Sequence, residues 1–433
     1  MGYLEGISLS KSDLDSKGRA FETFMGSFFR GDFGQYFTPR PIVKFIVGSL
    51  PITNESMVLD TSCGSGGFLL HALDKVRRQA DEYYPKEIGE VSNNIPEGKN
   101  HYKYWHDFAE KNLFGIDINE QISRTAKMNM ILHDDGHTNV ITADGLLSDK
   151  ELQNKSGNNG FKYDNFDYIL TNPPFGSIVK QSERAYLRNY DYAINEADWL
   201  NPKSKATFKG TQSTEILFIE QCHNFLKEGG YLAIVVPDGI LTNSSAQYVR
   251  DDIEEKFRII AIVSLPQTAF QATGAGVKSS VLFLKKHLKT TTNSIIKRKE
   301  AIKNRIISQN NYFKQIQQIE KEKKIHINEH RGLNNPQNIQ GIELTQSDEY
   351  KTWKKEVSDS YMNKIDELRE YQNELYLKQW RESLKNLYDY EILMAIAEDI
   401  GYDATGKSTG TNELEIISSE LKRFIEMIER GDA

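Results

Sequence analysis

A chain of 433 residues is too long for one typical domain and long enough to bury a sizeable core, so two or three folded units are expected. Its formal charge of −7 excludes a protein that holds a nucleic-acid duplex by overall charge alone, which leaves such a partner to a local patch or a second subunit. The cysteines, Cys63 and Cys222, are too few for a disulfide framework or a cysteine-based metal site; with no apolar run near about 18 residues and no signal-type segment, they point to a reduced, cytoplasmic protein without a membrane anchor.

In chain order, Phe21, Phe24, Met25 and Phe28 recur at three and four residues and predict a helix over about Ser16 to Phe29. Gly34-Gln35-Tyr36-Phe37-Thr38-Pro39-Arg40-Pro41 reads as a rigid turn ahead of a second helix with the stripe Ile42, Phe45, Ile46 and Leu50. Thr38 is expected to cap that helix, with Pro39 at its first position, and the free amides there suit an anion.

Met57-Val58-Leu59-Asp60 reads as a short buried strand, Thr61 to Gly67 as a small-residue loop, and Phe68 to Val76 as a helix. Gly64, Ser65, Gly66 and Gly67 let backbone pass close to a ligand, but there is neither a phosphate-binding Walker loop nor a full dinucleotide fingerprint. After a polar insertion from about Gln79 to Asn100, a second strand ends at Asp117, a helix runs from Glu120 to Leu132, and a third strand ends at Asp144. Any one of Asp60, Asp117 and Asp144 can be a plain helix cap. Three acids ending three strands that alternate with helices predict a parallel sheet with all three carboxylates around the glycine loop.

The fourth strand, Asp167-Tyr168-Ile169-Leu170-Thr171, runs into Asn172-Pro173-Pro174-Phe175-Gly176. The prolines carry no N–H and fix φ, so the strand stops and presents Asn172 and Phe175 at its carboxyl end, where open α/β sheets hold ligands. Two oxygen acceptors beside a ring that can stack make a pocket for a planar amine; the plain alternative is an ordinary strand exit. Residues 177–209 interleave Tyr186, Tyr190, Tyr192 and Trp199 with Lys180, Arg184 and Arg188, a pattern that suits a substrate-contacting flap or a solvated loop. A helix from Ser213 to Leu226 leads to a fifth strand ending at Pro237, and strands six (Ile259 to Leu265) and seven (Ser279 to Leu284) flank a loop bearing Phe270.

Beyond strand seven the composition shifts: Lys285 to Arg331 holds 13 Lys and Arg against 4 Glu, a solvated helix face or the one segment fit for a phosphate backbone. Asp348 to Leu384 follows as a long helix whose narrow stripe, from Tyr350 and Trp353 to Trp380, predicts packing on another helix of this chain or of a partner. A last helix is expected from an Asn412 cap to Ile428.

Taken in order, Gln35 to Pro39, Asp60 to Gly67, Asp117, Asp144-Gly145-Leu146, Asn172 to Phe175, the Gly229 to Pro237 strand and the Leu265-Pro266 to Phe270 loop resemble the motif series of gamma-class adenine-N6 DNA methyltransferases. More narrowly the chain resembles the methylation subunit of type I restriction-modification systems, over about residues 15 to 285 and again from Ile400 to Leu414. It departs from that pattern with Thr61-Ser62 where Pro-Ala is usual, and it is expected to lack the helical domain that usually precedes the Gln-Tyr-Phe-Thr-Pro motif.

The resemblance implies a Rossmann-like, seven-stranded, mostly parallel α/β sheet with a helical C-terminal extension. The implied organisation is a helical segment over 1–50, a methyltransferase domain over 51–286, and a helical region over 287–433 for partner and DNA contacts. It implies S-adenosylmethionine as cofactor, with Phe37 and Thr38 near its methionine end, Asp60, Gly64, Ser65 and Gly66 at the amino-acid and sugar region, Asp117 and Ile118 at the ribose, and Asp144 and Gly145 at the adenine. The catalytic set is Asn172, Pro173, Pro174 and Phe175, acting on an adenine flipped from the duplex and stacked on Phe175 or Phe270, without a metal. Implied partners are DNA, a specificity subunit, a second methylation subunit and a nuclease subunit. Two other functions fit parts of the pattern: methylation of protein glutamine, and a non-catalytic module that binds helices or DNA.

Overall fold

The central strands Val58–Asp60 and Leu113–Asp117 are short runs buried on both faces, as a parallel sheet requires. The computed structural model describes residues 38–85, 100–133, 139–271, 276–329, 347–385 and 390–431. The expected helix from Ser16 to Phe29, Phe37, and most of the polar insertion before Asn100 lie outside the described residues.

The chain divides into two units: Met1–Glu196 with Ala206–Thr290 and Glu391–Ala433, and Ala197–Lys205 with Thr291–Tyr390. In the first unit, helix α1 (Arg40–Ser49) precedes β1 (Val58–Asp60), α2 (Gly67–Tyr83), α3 (Asn100–Lys111), β2 (Leu113–Asp117), α4 (Glu120–Leu132), β3 (Asn139–Thr142), α5 (Asp149–Ser156) and β4 (Phe166–Thr171). Then come α6 (Thr214–Phe225), β5 (Leu226–Pro237), α7 (Gln247–Lys256), β6 (Phe257–Ser264) and β7 (Ser279–Lys286).

The seven expected strands are joined by an eighth, β8 (Leu393–Ile396), which pairs parallel with β6 and makes the order β8-β6-β7-β5-β4-β1-β2-β3. Only β7 runs antiparallel to its neighbours, β5 and β6. Thus the C-terminal stretch expected as one helical region separates: part belongs to the second unit, and 391–433 returns to the sheet. Its terminal helix, Leu414–Arg430, packs on α1, with Ser49 Oγ and Ser418 Oγ 2.9 Å apart. Asn412 Oδ1 accepts from Leu414 N at 3.2 Å, close to its expected capping place.

The strand order reverses between β1 and β4, so the carboxyl ends of both flank one crevice. One apolar layer, including Phe45, Leu69, Phe108 and Phe283, packs on one face of the sheet; Phe114, Phe166, Ile219 and Phe225 belong to the other.

The second unit holds most of α8 (Lys289–Gln309), α9 (Tyr312–Glu329) and α10 (Asp348–Lys385). Its core joins Ile295, Ile302 and Ile306 to Trp380, and the stripe of α10 packs on α9 of this chain, where His326 meets Trp353 and Tyr361. Lys299 and Lys303 sit over the rings of Trp380 and Tyr376, so part of the basic run is spent on its own aromatics. No described helix is long and apolar enough to cross a membrane.

Candidate active site

At the carboxyl ends of β1, β2 and β4 opens a cavity of about 360 Å³. The glycine loop forms one wall. Gly66 ends the loop at the cap position of α2 with φ 86°, a left-handed conformation that glycine adopts without strain. Gly145 is needed for close approach: its Cβ would stand 2.5 Å from the Thr61 carbonyl oxygen and 3.0 Å from the Phe218 ring.

The three acids are placed differently. Asp117 lines the cavity, and its two oxygens accept from Gly64 N at 3.0 Å and Asn119 N at 2.8 Å. Burial pushes its carboxyl up to about 6. Asp144, also on the wall, accepts from Leu146 N at 3.0 Å and from the Tyr186 hydroxyl at 2.7 Å, with Arg184 Nε at 3.6 Å. Asp60 departs from expectation: it is 1% exposed and does not line the cavity. Its Oδ1 accepts from Ser62 N at 3.0 Å, which makes it a brace for the loop, and burial raises its pKa to about 7. Ser65 and Gly66 also lie behind the wall, and the Ser65 carbonyl accepts from Asn129 Nδ2 at 3.0 Å. Gly64, Ile118 and Gly145 face the cavity.

Across from the acids stand Asn172, Pro173, Pro174 and Phe175. Asn172 Nδ2 donates to Thr38 Oγ1 at 3.0 Å, while its Oδ1 is buried with no partner among the described residues. The proline turn is held from α6, whose Thr214 hydroxyl donates to the Pro174 carbonyl at 2.8 Å. Phe270 meets Phe175 edge-on, with centroids 6.4 Å apart at 84°. Phe270 is 1% exposed and lines the same cavity behind Phe175.

Thr38 does not cap α1. Pro39 occupies the cap position, its carbonyl accepts from Ile42 N and Val43 N, and Pro41 has no amide to satisfy, so the Thr38 side chain is left to reach Asn172.

The loop after β4 supplies wall residues that the sequence did not single out as cofactor-side: Ile178, Val179, Glu183 and, through Asp144, Arg184 and Tyr186. Its other tyrosines are not displayed for stacking. Tyr190 and Tyr192 are each 4% exposed, and their hydroxyls donate to the Leu146 carbonyl and Asp252 Oδ2, both at 2.7 Å. Glu220 fastens the same loop by accepting from Asp191 N at 2.8 Å and Tyr192 N at 2.9 Å. The interleaved aromatics were visible in the sequence; their partners, 28 to 60 residues away, were not.

Residues 12–380 match the N-6 DNA methylase family. Curated relatives include the StySPI type I restriction enzyme methylase subunit of Salmonella potsdam, 28% identical over 58% of this chain and 40% of its own length. The EcoKI methylase subunit of Escherichia coli K12 is 27% identical over 58% of this chain and 40% of its own. The chain therefore spans about two fifths of the curated relatives it matches. Among solved structures, the type I restriction-modification system methyltransferase subunit from Streptococcus thermophilus aligns at 21% identity and a TM-score of 0.43, over 72% of this chain and 65% of that one.

Proposed function

The chain belongs to the N-6 DNA methylase family, and from that premise we propose that it methylates the N6 amine of adenine in DNA as the modification subunit of a restriction-modification system. One observation carries the reading: a buried, unpartnered amide oxygen, Asn172 Oδ1, stands on the wall of the same cavity as the acceptor-only carboxylates of Asp117 and Asp144.

S-adenosylmethionine fits this donor set. Its ribose hydroxyls and adenine amine are donors, suited to Asp117 and Asp144, and Gly64 lets the loop backbone come close to a ligand. When bound it supplies an electrophilic sulfonium methyl group. The chain's residues do the rest. The target adenine must leave the duplex, at a cost of a few kcal/mol, and stacking on Phe175 returns roughly 1 to 3 kcal/mol. Asn172 Oδ1 and the Pro173 carbonyl each accept one N–H of the amine, which turns its lone pair away from the ring and toward the cofactor side. Orientation of this kind is worth up to about 7 to 11 kcal/mol in well-aligned systems.

Partners follow from the relatives' type I systems: a DNA-specificity subunit, a second methylation subunit and a nuclease subunit. The lysines and arginines of α8 and α9 are the segment best suited to DNA phosphates. The test is Asn172→Ala, followed by calorimetry with S-adenosylmethionine and by tritiated methyl transfer to adenine-containing DNA. Cofactor binding is expected to persist and transfer to be lost; undiminished transfer would reject the assignment.

A further inference from the structure

We propose that Thr214 and Glu215, the first two residues of α6, are positioning residues that hold the ring of Phe175 in place for the flipped base. The inference rests on the adenine-N6 reading above and deepens it by naming what sets the stacking surface. A ring serves as a platform at full value only if it already lies in the plane the base will take. Phe175 is half-buried on the cavity wall, in a turn that does little to fix that plane by itself. Pro173 and Pro174 have no N–H to give, and Gly176, at φ 72°, takes the left-handed conformation.

The start of α6 grips the chain on both sides of the ring. On one side the Thr214 hydroxyl donates to the Pro174 carbonyl at 2.8 Å, its shortest contact, ahead of the Ser177 carbonyl at 3.2 Å and Glu215 Oε2 at 3.3 Å. The two carbonyls carry no hydrogen, so toward them the hydroxyl can only donate. On the other side Gly176 N donates to Glu215 Oε2 at 3.3 Å, and Thr214 N donates to the Ser177 carbonyl at 3.0 Å. Thr214 is 8% exposed, and α6 is buried along most of its length, so the grip comes from a fixed element. Both neighbours of Phe175, Pro174 and Gly176, are thus tied to one helix about 40 residues further along the chain.

The test is a double-mutant cycle in the full-length protein, read by single-turnover methyl transfer to adenine-containing DNA at saturating S-adenosylmethionine. Phe175→Ala is expected to slow transfer about 5- to 150-fold, the equivalent of roughly 1 to 3 kcal/mol of lost stacking. Thr214→Val keeps the shape and the backbone N–H but removes the hydroxyl; it is expected to slow transfer about tenfold, as a small misplacement near a reacting centre does. Thr214→Ser is expected to restore the rate. Added to Phe175→Ala, Thr214→Val is expected to slow transfer by less than about twofold more, because a residue that acts through the ring has nothing left to position. Glu215→Ala, which removes the other grip, is expected to behave in the same way. Independently of turnover, 4-fluorophenylalanine placed at position 175 is expected to give one sharp 19F line with Thr214 present and a shifted or broadened line in Thr214→Val. Effects that multiply in the double variants would overturn the proposal, by giving Thr214 a contact of its own with cofactor or base or a role in stability alone. A 19F line that Thr214→Val leaves unchanged would overturn it as well. Failure of the broader reading looks different: Asn172→Ala would then still transfer methyl groups.

Discussion

The hydroxyl of Tyr186 donates to Asp144 Oδ2 at 2.7 Å, tying the loop after β4 to the chain just past β3. Burial and the adjacent Asp144 carboxylate hold that hydroxyl well above the ordinary phenol range, so it remains a donor at any working pH. In Tyr186→Phe the carboxylate loses a charge-assisted hydrogen bond worth about 1.5 to 3 kcal/mol, part of which is preorganisation of the cavity wall at Asp144. Cofactor affinity measured by calorimetry is expected to fall about three- to tenfold, with the fold retained. An affinity equal to that of the wild type would confine Tyr186 to holding the loop.

Asp117 carries a pH signature. Its carboxyl in the free protein titrates near 6, so below that value it is largely protonated and loses its full accepting capacity. Cofactor affinity is therefore expected to fall as pH drops through about 6, and Asp117→Asn to bind more weakly, by about tenfold, without that dependence. Parallel pH curves for the two proteins would mean that Asp117 only braces the turn through Gly64 and Asn119.

Glu220 is the anchor of the loop after β4, and burial raises its pKa to about 7. Because the folded value exceeds the unfolded one, its contribution to stability is complete below the unfolded pKa and is lost as pH rises through the folded pKa. Glu220→Gln keeps one acceptor for two amides and should cost about 1 to 2 kcal/mol. The gap between wild type and variant in denaturant titrations is expected to be wide near pH 5 and to narrow toward about pH 8. In Glu220→Ala, limited proteolysis is expected to cut first within 177–209; an unchanged cleavage pattern would show that Tyr190 and Tyr192 suffice to hold the loop.

Gly145 tests the packing of the cavity wall. A methyl group added there meets the Thr61 carbonyl and the Phe218 ring, and the carbonyl belongs to backbone that cannot easily give way. Gly145→Ala is expected to cost about 1 to 3 kcal/mol, the range of an overpacked core. A melting temperature equal to that of the wild type would show that the wall shifts freely.

Much of this architecture can be read from residue order. Apolar runs ending at Asp60, Asp117 and Asp144, alternating with helical stripes, announce a parallel sheet and its ligand-bearing edge. The proline pair after Asn172 announces where β4 must stop. What could not be read depends on depth and distant partners. Asp60 has the same local pattern as Asp117, yet one lies beneath the loop and the other at the wall. Thr38 before Pro39 looks like a helix cap because local sequence cannot show Asn172 across the crevice. Tyr190 and Tyr192 look like stacking platforms until Leu146 and Asp252 accept from their hydroxyls. Leu393–Ile396 is too short a run, and too far from the other strands, to declare itself part of their sheet.

The return of the tail to the sheet sets an order of assembly during synthesis. When β6 and β7 emerge from the ribosome, β6 still has an unpaired edge, and the surface of α1 that the Leu414–Arg430 helix will cover is bare. More than a hundred residues, including α8, α9 and α10, must be translated before Leu393–Ile396 can seal that edge. Until then the nascent chain carries a strand border open to foreign pairing, so chaperone dependence should concentrate in that interval of translation.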